Sequence, residues 1–274
     1  MRITTLVENH MNQARLSLFA EHGVSFFIEK SNHVYMSDVG QSGSFADNAA
    51  ELDVDLSQVE VLAISHHHYD HGGGLKRFFE ENEDAVVYLH TSPNADYLSV
   101  DSPQSVRYIG LDRGLLKDHQ GRIKYIDKNQ EVSPGFWLIT KIPEEYPKPH
   151  GDERLKRQIG TDIIADPFKH ELVTVVEGEN GLVILTGCAH NGVLNMIAAV
   201  KDALPGKPIQ AVIGGFHLHH EAEQTVQEIG EALLGMDIPR VITGHCTGDP
   251  QTDLLKEVLG NRLERLFTGK IMMF

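Results

Sequence analysis

An α/β fold is predicted by three features of the sequence. Short, continuously apolar runs of strand length occur at Val61–Ile64 and Leu182–Leu185, the signature of buried strands. After residue 190, strand-length runs alternate with segments of helical period, which is βαβ order. Finally, a histidine-rich stretch, Ser65-His66-His67-His68-Tyr69-Asp70-His71, followed by Gly72-Gly73-Gly74, stands directly after one of the apolar runs. A strand end followed by a glycine turn and a helix is where α/β folds carry their chemistry.

Taken in order, Ile3–Glu8 alternates apolar and polar residues and reads as a strand. Val24–Glu29 and His33–Ser37, separated by the turn-like Ser31-Asn32, read as an antiparallel pair. Ser44 is placed to cap a helix over roughly 45–54, and the strand Val59–Ser65 then enters the histidine stretch. Leu75–Glu83 has helical spacing through Leu75, Phe78 and Phe79, and Ala85–His90 is the next strand. From Thr91 to Gly160 the pattern weakens. Strand-like pieces at Val106–Ile109, Arg122–Ile126 and Phe136–Ile142 are separated by Pro93, Pro103 and Pro134 and followed by Pro143, Pro147 and Pro149. Long irregular segments in compact domains are usually functional. This one is expected to supply part of a second sheet and a substrate-covering loop near 143–160, with Tyr146, Lys148, His150, Arg154 and Arg157 facing the site. His170–Glu177 and Gly181–Thr186 form a hairpin around Gly178-Glu179-Asn180-Gly181. Helix Val193–Ala203, strand Ile209–Ile213, helix Glu221–Leu234, strand Arg240–Thr243 and helix Gln251–Leu259 follow. A closing strand pair spans about Arg265–Met273.

Composition excludes several classes of function. The 274 residues suit one large domain. With 24 Lys+Arg against 39 Asp+Glu, the formal net charge of −15 argues against nucleic acid or an anionic membrane as partner. The expected partner is a small anionic substrate, and a homodimer is left open. Only Cys188 and Cys246 occur, each near a histidine, so a disulfide framework is not expected. No basic segment plus apolar run opens the chain, and no apolar stretch approaches about 18 residues, so a cytoplasmic location is expected.

The histidine stretch reads as a metal site. Residues 66, 68 and 70 leave a strand end with alternating direction and can point into one pocket, with His71 following as the chain turns. Imidazole and carboxylate are ligands for zinc and for iron or manganese. Two ions fit the spacing, one on His66 and His68, the other on Asp70 and His71. The N–H groups at Gly73 and Gly74, at the start of the next helix, would favour an anionic substrate group.

His66-x-His68-x-Asp70-His71 resembles the signature of the metallo-β-lactamase superfamily. Leu6-Val7-Glu8-Asn9, Glu21-His22-Gly23-Val24-Ser25, Thr186-Gly187-Cys188-Ala189-His190 and His245-Cys246-Thr247-Gly248 narrow the resemblance. They point to the branch of dihydropterin-ribofuranosyl-aminobenzene-phosphate-synthase-like proteins. The resemblance implies a four-layer αββα sandwich, two mixed sheets with helices on the outer faces and metal at one edge. It would form a single domain over 1–274 with an irregular insertion at about 91–160. It also implies that Asp38, at a strand end, holds the histidine loop rather than a metal, and that His245 is the last histidine ligand.

Cys188 and His190, two apart at a strand end, can point the same way. Where much of the superfamily has a bridging aspartate, this chain has Cys188. His190 is therefore expected as a ligand, with Cys188 as a ligand or its neighbour, while Cys246 reads as packing. His217, in Gly214-Gly215-Phe216-His217, is a ligand or the group that protonates a leaving oxygen. The superfamily's Thr-x-Gly-His histidine is missing. Either His150, in Lys148-Pro149-His150-Gly151, serves instead, or His190 does. Lys148 and His150 are also candidates for binding the substrate, with Gly73 and Gly74.

The expected function is a metal-dependent hydrolase with zinc, two ions by preference, and manganese or iron as alternatives. Metal-bound hydroxide, oriented by Asp70, would attack a small anionic ester such as a phosphoester or cyclic phosphodiester, with His217 as acid. Competing readings are a synthase joining a ribose-phosphate donor to an aminobenzoate-type acceptor, di-iron redox chemistry, and a metal-binding sensor without turnover.

Overall fold

A computed structural model describes residues 1–91, 95–102 and 104–274. Pro93 and Pro103, used above as breaks, lie outside the described residues. The N-terminal half runs β1 (Arg2–Val7), β2 (Ser25–Lys30), β3 (His33–Ser37), α1 (Ser44–Glu51), β4 (Val61–Ala63), α2 (Tyr69–Gly72), α3 (Leu75–Glu81) and β5 (Val86–His90). The middle holds β6 (Asp96–Ser102), β7 (Ser105–Tyr108), α4 (Arg113–Asp118), β8 (Ile123–Ile126), β9 (Gln130–Ser133), β10 (Phe136–Ile139), β11 (Leu155–Ile159) and β12 (Asp162–Ala165). The C-terminal half runs β13 (Val173–Gly178), β14 (Gly181–Leu185), α5 (Val193–Ala203), β15 (Ile209–Gly214), α6 (Glu223–Gly235), β16 (Arg240–Thr243), α7 (Asp249–Leu259), β17 (Leu263–Arg265) and β18 (Ile271–Met273).

Two seven-stranded sheets result, in the orders β18-β1-β2-β3-β4-β5-β8 and β17-β16-β15-β14-β13-β10-β9. Their period-two side-chain alternation makes the layers. Phe26, Ile28, Val61, Ala63, Val183, Leu185, Ala211 and Ile213 all point into one cluster between the sheets. Their neighbours Phe27, Leu62 and Ile64 face outward beneath α1 and α3, against Phe45, Phe78 and Phe79. Leu182, Ile184 and Val212 face the other way, beneath α5, α6 and α7. The architecture is the αββα sandwich, and β14, apolar throughout, is buried on both faces as its sequence requires.

Three expectations about elements change. The segment 91–160 supplies part of the second sheet through β9 and β10, as expected, but β8 joins the first sheet, and β6, β7 and β11, with β12 just beyond the segment, form a separate four-stranded antiparallel sheet. β17 and β18 do not pair with each other: β17 lies parallel to β16, and β18 crosses to β1. Ser44 does not cap α1. The cap position is Gly43, without a side-chain bond, and the Ser44 hydroxyl donates to Glu21 Oε2 at 3.0 Å.

The parallel strands fix where chemistry can sit. β3, β4 and β5 run parallel, as do β14, β15 and β16, so their carboxyl ends emerge on a common edge. That edge receives Asp38 after β3, the histidine stretch after β4, Cys188 and His190 after β14, His217 after β15 and His245 after β16. Among the described residues no helix is long and apolar enough to cross a membrane.

Candidate metal centre

The strand ends bring two groups of metal-capable side chains together, both buried. Asp70, His71, Cys188 and His245 form one, and His66, His68 and His190 form the other. In the first, Cys188 Sγ lies 3.1 Å from His71 Nε2 and 3.3 Å from His245 Nε2. Asp70 Oδ2 is 3.4 Å from each of the same two nitrogens. A tetrahedral cation with ligands at about 2.0–2.3 Å holds neighbouring ligand atoms about 3.3–3.8 Å apart. The four donors therefore already enclose a zinc-sized volume.

In the second group, His66 Nε2 and His68 Nδ1 meet at 3.1 Å. His190 Nδ1 is bonded to Asp152 Oδ1 at 2.7 Å, which leaves Nε2 as its donor, and that atom is buried without a hydrogen-bond partner. A buried nitrogen without a partner costs about 1–3 kcal/mol, a cost removed when a cation accepts the lone pair. The residues present thus fit two divalent cations, with Cys188 in the first group and its sulfur within 4.8 Å of a ring nitrogen of His190 in the second.

The loop geometry is held by carboxylates behind the donors. Asp38 Oδ1 accepts from the Ser65 N–H at 2.7 Å. Its Oδ2 accepts from the Ser65 hydroxyl and from His71 Nδ1, both at 2.8 Å. This aims His71 Nε2 at the pocket and makes Asp38 the loop-holding residue. Glu8, fully buried, accepts from the His245 backbone N–H, and Asn9 Oδ1 fixes His245 Nδ1 at 2.9 Å. Glu171 accepts from the His190 and Asn191 N–H groups, each at 2.8 Å. Such partners orient ligands and set their tautomers. Backbone strain gathers here too: Asp38, Ala189, His217 and His245 have φ of 59°, 60°, 51° and 49°. That region is costly for residues with a Cβ and tends to mark functional sites.

Electrostatics follow from burial and crowding. Burial and neighbouring imidazoles push His66 and His68 well below the ordinary histidine value. Burial would raise Asp70, but His71, His22 and His245 hold it well below the usual carboxylate range. Burial, reinforced by Cys246, pushes the Cys188 thiol up, so a cation that binds there must displace a proton. Burial would lower His217, yet Asp152 and Cys246 beside it raise it to about 10. Its Nε2 lies 3.1 Å from Asp152 Oδ1.

His66, His68, Asp70, His71, His190, His245 and Cys188 are thus brought together, with His217 beside them over the same cleft of about 280 Å³. Four residues expected to bind substrate lie elsewhere. The Gly73 N–H donates to Tyr69 O at 2.6 Å and the Gly74 N–H to Gly40 O at 3.2 Å, so neither is free for an anion. An added Cβ would meet Gln41 O or Val39 O at 2.3 Å, so close backbone approach is why glycine stands there. Lys148 and His150 line a separate hollow with Pro149 and Leu194. Lys148 pairs with Glu144, and the largely exposed His150 ring pairs with Glu221. His190, not His150, completes the second donor group.

Several participants were missed. His22 Nε2 approaches Asp70 Oδ2 at 3.3 Å; it stood in a quoted stretch without a role. Cys246 lines the cleft rather than only packing. Asp152, from the turn His150–Arg154, reaches both His190 and His217. Arg107 and Ser99 come from the third sheet, which was not foreseen, and line the cleft beside the metal loop.

Comparison with known proteins agrees with this geometry. Residues 19–245 match the family model described as the metallo-beta-lactamase superfamily. A 7,8-dihydropterin-6-methyl-4-(beta-D-ribofuranosyl)-aminobenzene-5'-phosphate synthase from Methanocaldococcus jannaschii is 27% identical over 288 residues, covering 100% of this chain and 97% of that protein. The solved structure of Tm1679, described as a metal-dependent hydrolase of the beta-lactamase superfamily, superposes with a TM-score of 0.85 at 25% identity, covering 100% of this chain and 99% of that one. Zn(2+)-bound PqqB from Methylobacterium extorquens, at 10% identity and a TM-score of 0.56 over 100% of each chain, shares the fold.

Proposed function

The chain belongs to the metallo-beta-lactamase superfamily, and we propose that it is a zinc-dependent hydrolase of a small anionic ester, a phosphoester or cyclic phosphodiester. The observation that carries this reading is the pair of buried donor groups meeting at Cys188 on the floor of one open cleft. The description of Tm1679, similar over the whole chain, as a metal-dependent hydrolase supports the same class. Bound divalent cations would supply Lewis acidity and a water acidified towards neutral pH.

The chain's own residues do the rest. Asp70, between His22, His71 and His245, would hold one cation together with His71, Cys188 and His245 and would orient the nucleophile. His217, kept protonated by Asp152, carries a proton over the cleft and delivers it to the leaving oxygen. The formal charge of −15 supports a small molecule rather than nucleic acid as partner, and two free buried cysteines suit a reducing, cytoplasmic setting.

The test is turnover by zinc-replete protein on a panel of phosphodiesters, phosphomonoesters, thioesters and lactones. Activity on one class, abolished by a chelator and restored by zinc, is expected. Activity on none defeats the reading. A second reading, synthesis, rests on the synthase that is 27% identical over the full chain. It predicts that a phosphoribosyl donor is consumed only when an aminobenzoate-type acceptor is present, and product analysis separates the two.

A further inference from the structure

The third sheet gives the cleft a second chemical half. β6, β7 and the turn before β11 place Ser99, Arg107 and Arg154 on the same cleft as His68, Asp70 and His217. Among the described residues lining that cleft, Asp70 is the sole carboxylate, and it belongs to the cation donors. In a chain with 39 acidic against 24 basic residues, this lining thus holds one carboxylate beside two guanidinium groups.

Among the described residues, neither arginine makes a close ion pair. Arg107 lies above the Tyr69 ring, with Cζ 5.6 Å from its centroid, and Nη1 donates to the Tyr69 hydroxyl at 3.2 Å. Tyr69 directly precedes Asp70, so the guanidinium is held over the metal loop by a contact to one of its five N–H donors. Among the described residues, Arg154 has a loose pairing, Nη1 to Asp101 Oδ1 at 3.7 Å, beyond hydrogen-bond distance. The turn that carries Arg154 also carries Asp152, which bonds His190, so this rim is fixed to the metal centre.

We propose that Arg107 and Arg154 form an anion subsite that binds a second, non-reacting phosphate group of the substrate. The proposal rests on the hydrolase reading for the reacting end of the molecule and adds its other end. Two planar guanidinium forks suit the three terminal oxygens of a phosphate monoester, while one fork is enough for a carboxylate. The substrate class is then a small molecule with a hydrolysable group at the histidines and a terminal phosphate at Arg107 and Arg154. Loss of such a terminal group would weaken binding to the cleft rather than alter the donors.

The test uses the full zinc-loaded chain and orthophosphate as probe, followed by calorimetric titration and ³¹P line broadening. Orthophosphate is expected to bind at least about tenfold more weakly to R107Q/R154Q than to the unaltered chain, with zinc content and circular dichroism unchanged. R107K/R154K, which keeps charge without the fork, is expected to fall between them and guards against a folding defect in the glutamine variant. Equal affinity for orthophosphate in the unaltered and glutamine proteins overturns the proposal. Acetate binding as tightly as orthophosphate overturns the assignment to phosphate. Because the readout is binding, failure to find any hydrolysed ester would sink the hydrolase reading while leaving this result standing.

Discussion

Replacing Asp38 with Asn isolates how much the metal loop depends on one buried carboxylate. The change keeps size and shape, and Asn tolerates the left-handed backbone at φ 59°, so the effect is confined to hydrogen bonding. Asp38 accepts three bonds: Ser65 N–H on one oxygen, and Ser65 O–H and His71 Nδ1 on the other. An amide has one carbonyl. With its oxygen towards the Ser65 N–H, its NH₂ faces His71 Nδ1 across 2.8 Å. Flipped, the NH₂ faces the Ser65 N–H across 2.7 Å. Either way one donor opposes another at a site 1% exposed. A lost bond to a charged acceptor is worth about 1.5–3 kcal/mol, and losing such a ligand-orienting group costs about 10–100-fold in metal affinity. Zinc competition against a chromophoric chelator should show D38N binding at least about tenfold more weakly. Affinity within about twofold of the unaltered chain would refute the claim that Asp38 aims His71.

Other consequences follow from named contacts. An alanine Cβ at Gly187 would meet Ser65 Oγ at 2.1 Å and His71 Nδ1 at 3.1 Å, so G187A should lose about 1–3 kcal/mol in urea unfolding and retain less zinc after dialysis. His10, raised to about 9 first by its bond to Glu8, contributes stability that is full below its unfolded value near 6.5 and lost as pH rises through about 9. Because its side chain is 39% exposed, the contribution is no more than about 1 kcal/mol. H10Q should be less stable than the unaltered chain at pH 6 and indistinguishable at pH 10 by chemical unfolding. K148A and H150A, which alter the separate hollow, should leave zinc affinity unchanged, and a marked fall in either would contradict the placement of His190 as the remaining donor.

The conventional half of the site was readable because its information is local. His66, His68, Asp70 and His71 stand at fixed spacing after an apolar strand, and that spacing brings them together, although by a different route from strand alternation: the strand ends at Ala63, and Asp70 and His71 stand in helix α2. Cys188 and His190, two apart after β14, were readable from spacing, whereas His245 was expected only from the family resemblance. The third sheet was not readable: β7 was expected as a strand-like piece at 106–109 but not its partners, and β12, exposed along its whole length, lacks the buried alternation by which strands are recognised. Asp152 and Arg107 went unseen with it, since what they touch is decided by how that sheet folds over the cleft. Glu8 and Glu171 carried a usable signal, a lone carboxylate at the end of an apolar strand or loop, where burial demands a partner. The misjudged pairing of β17 and β18 has a different cause. Proximity in sequence suggests a hairpin, but Arg265 continues the parallel edge beside Thr243 while Thr268 bonds Glu8 and carries the chain across to β1.

The central claim is that Cys188 joins two cation sites into one centre. Zinc X-ray absorption on the full chain, combined with metal content per chain, tests it most directly. The account predicts two zinc ions per chain and a sulfur scatterer at about 2.3 Å that disappears in C188S. One ion per chain, or a coordination sphere of nitrogen and oxygen alone in the unaltered protein, would contradict it.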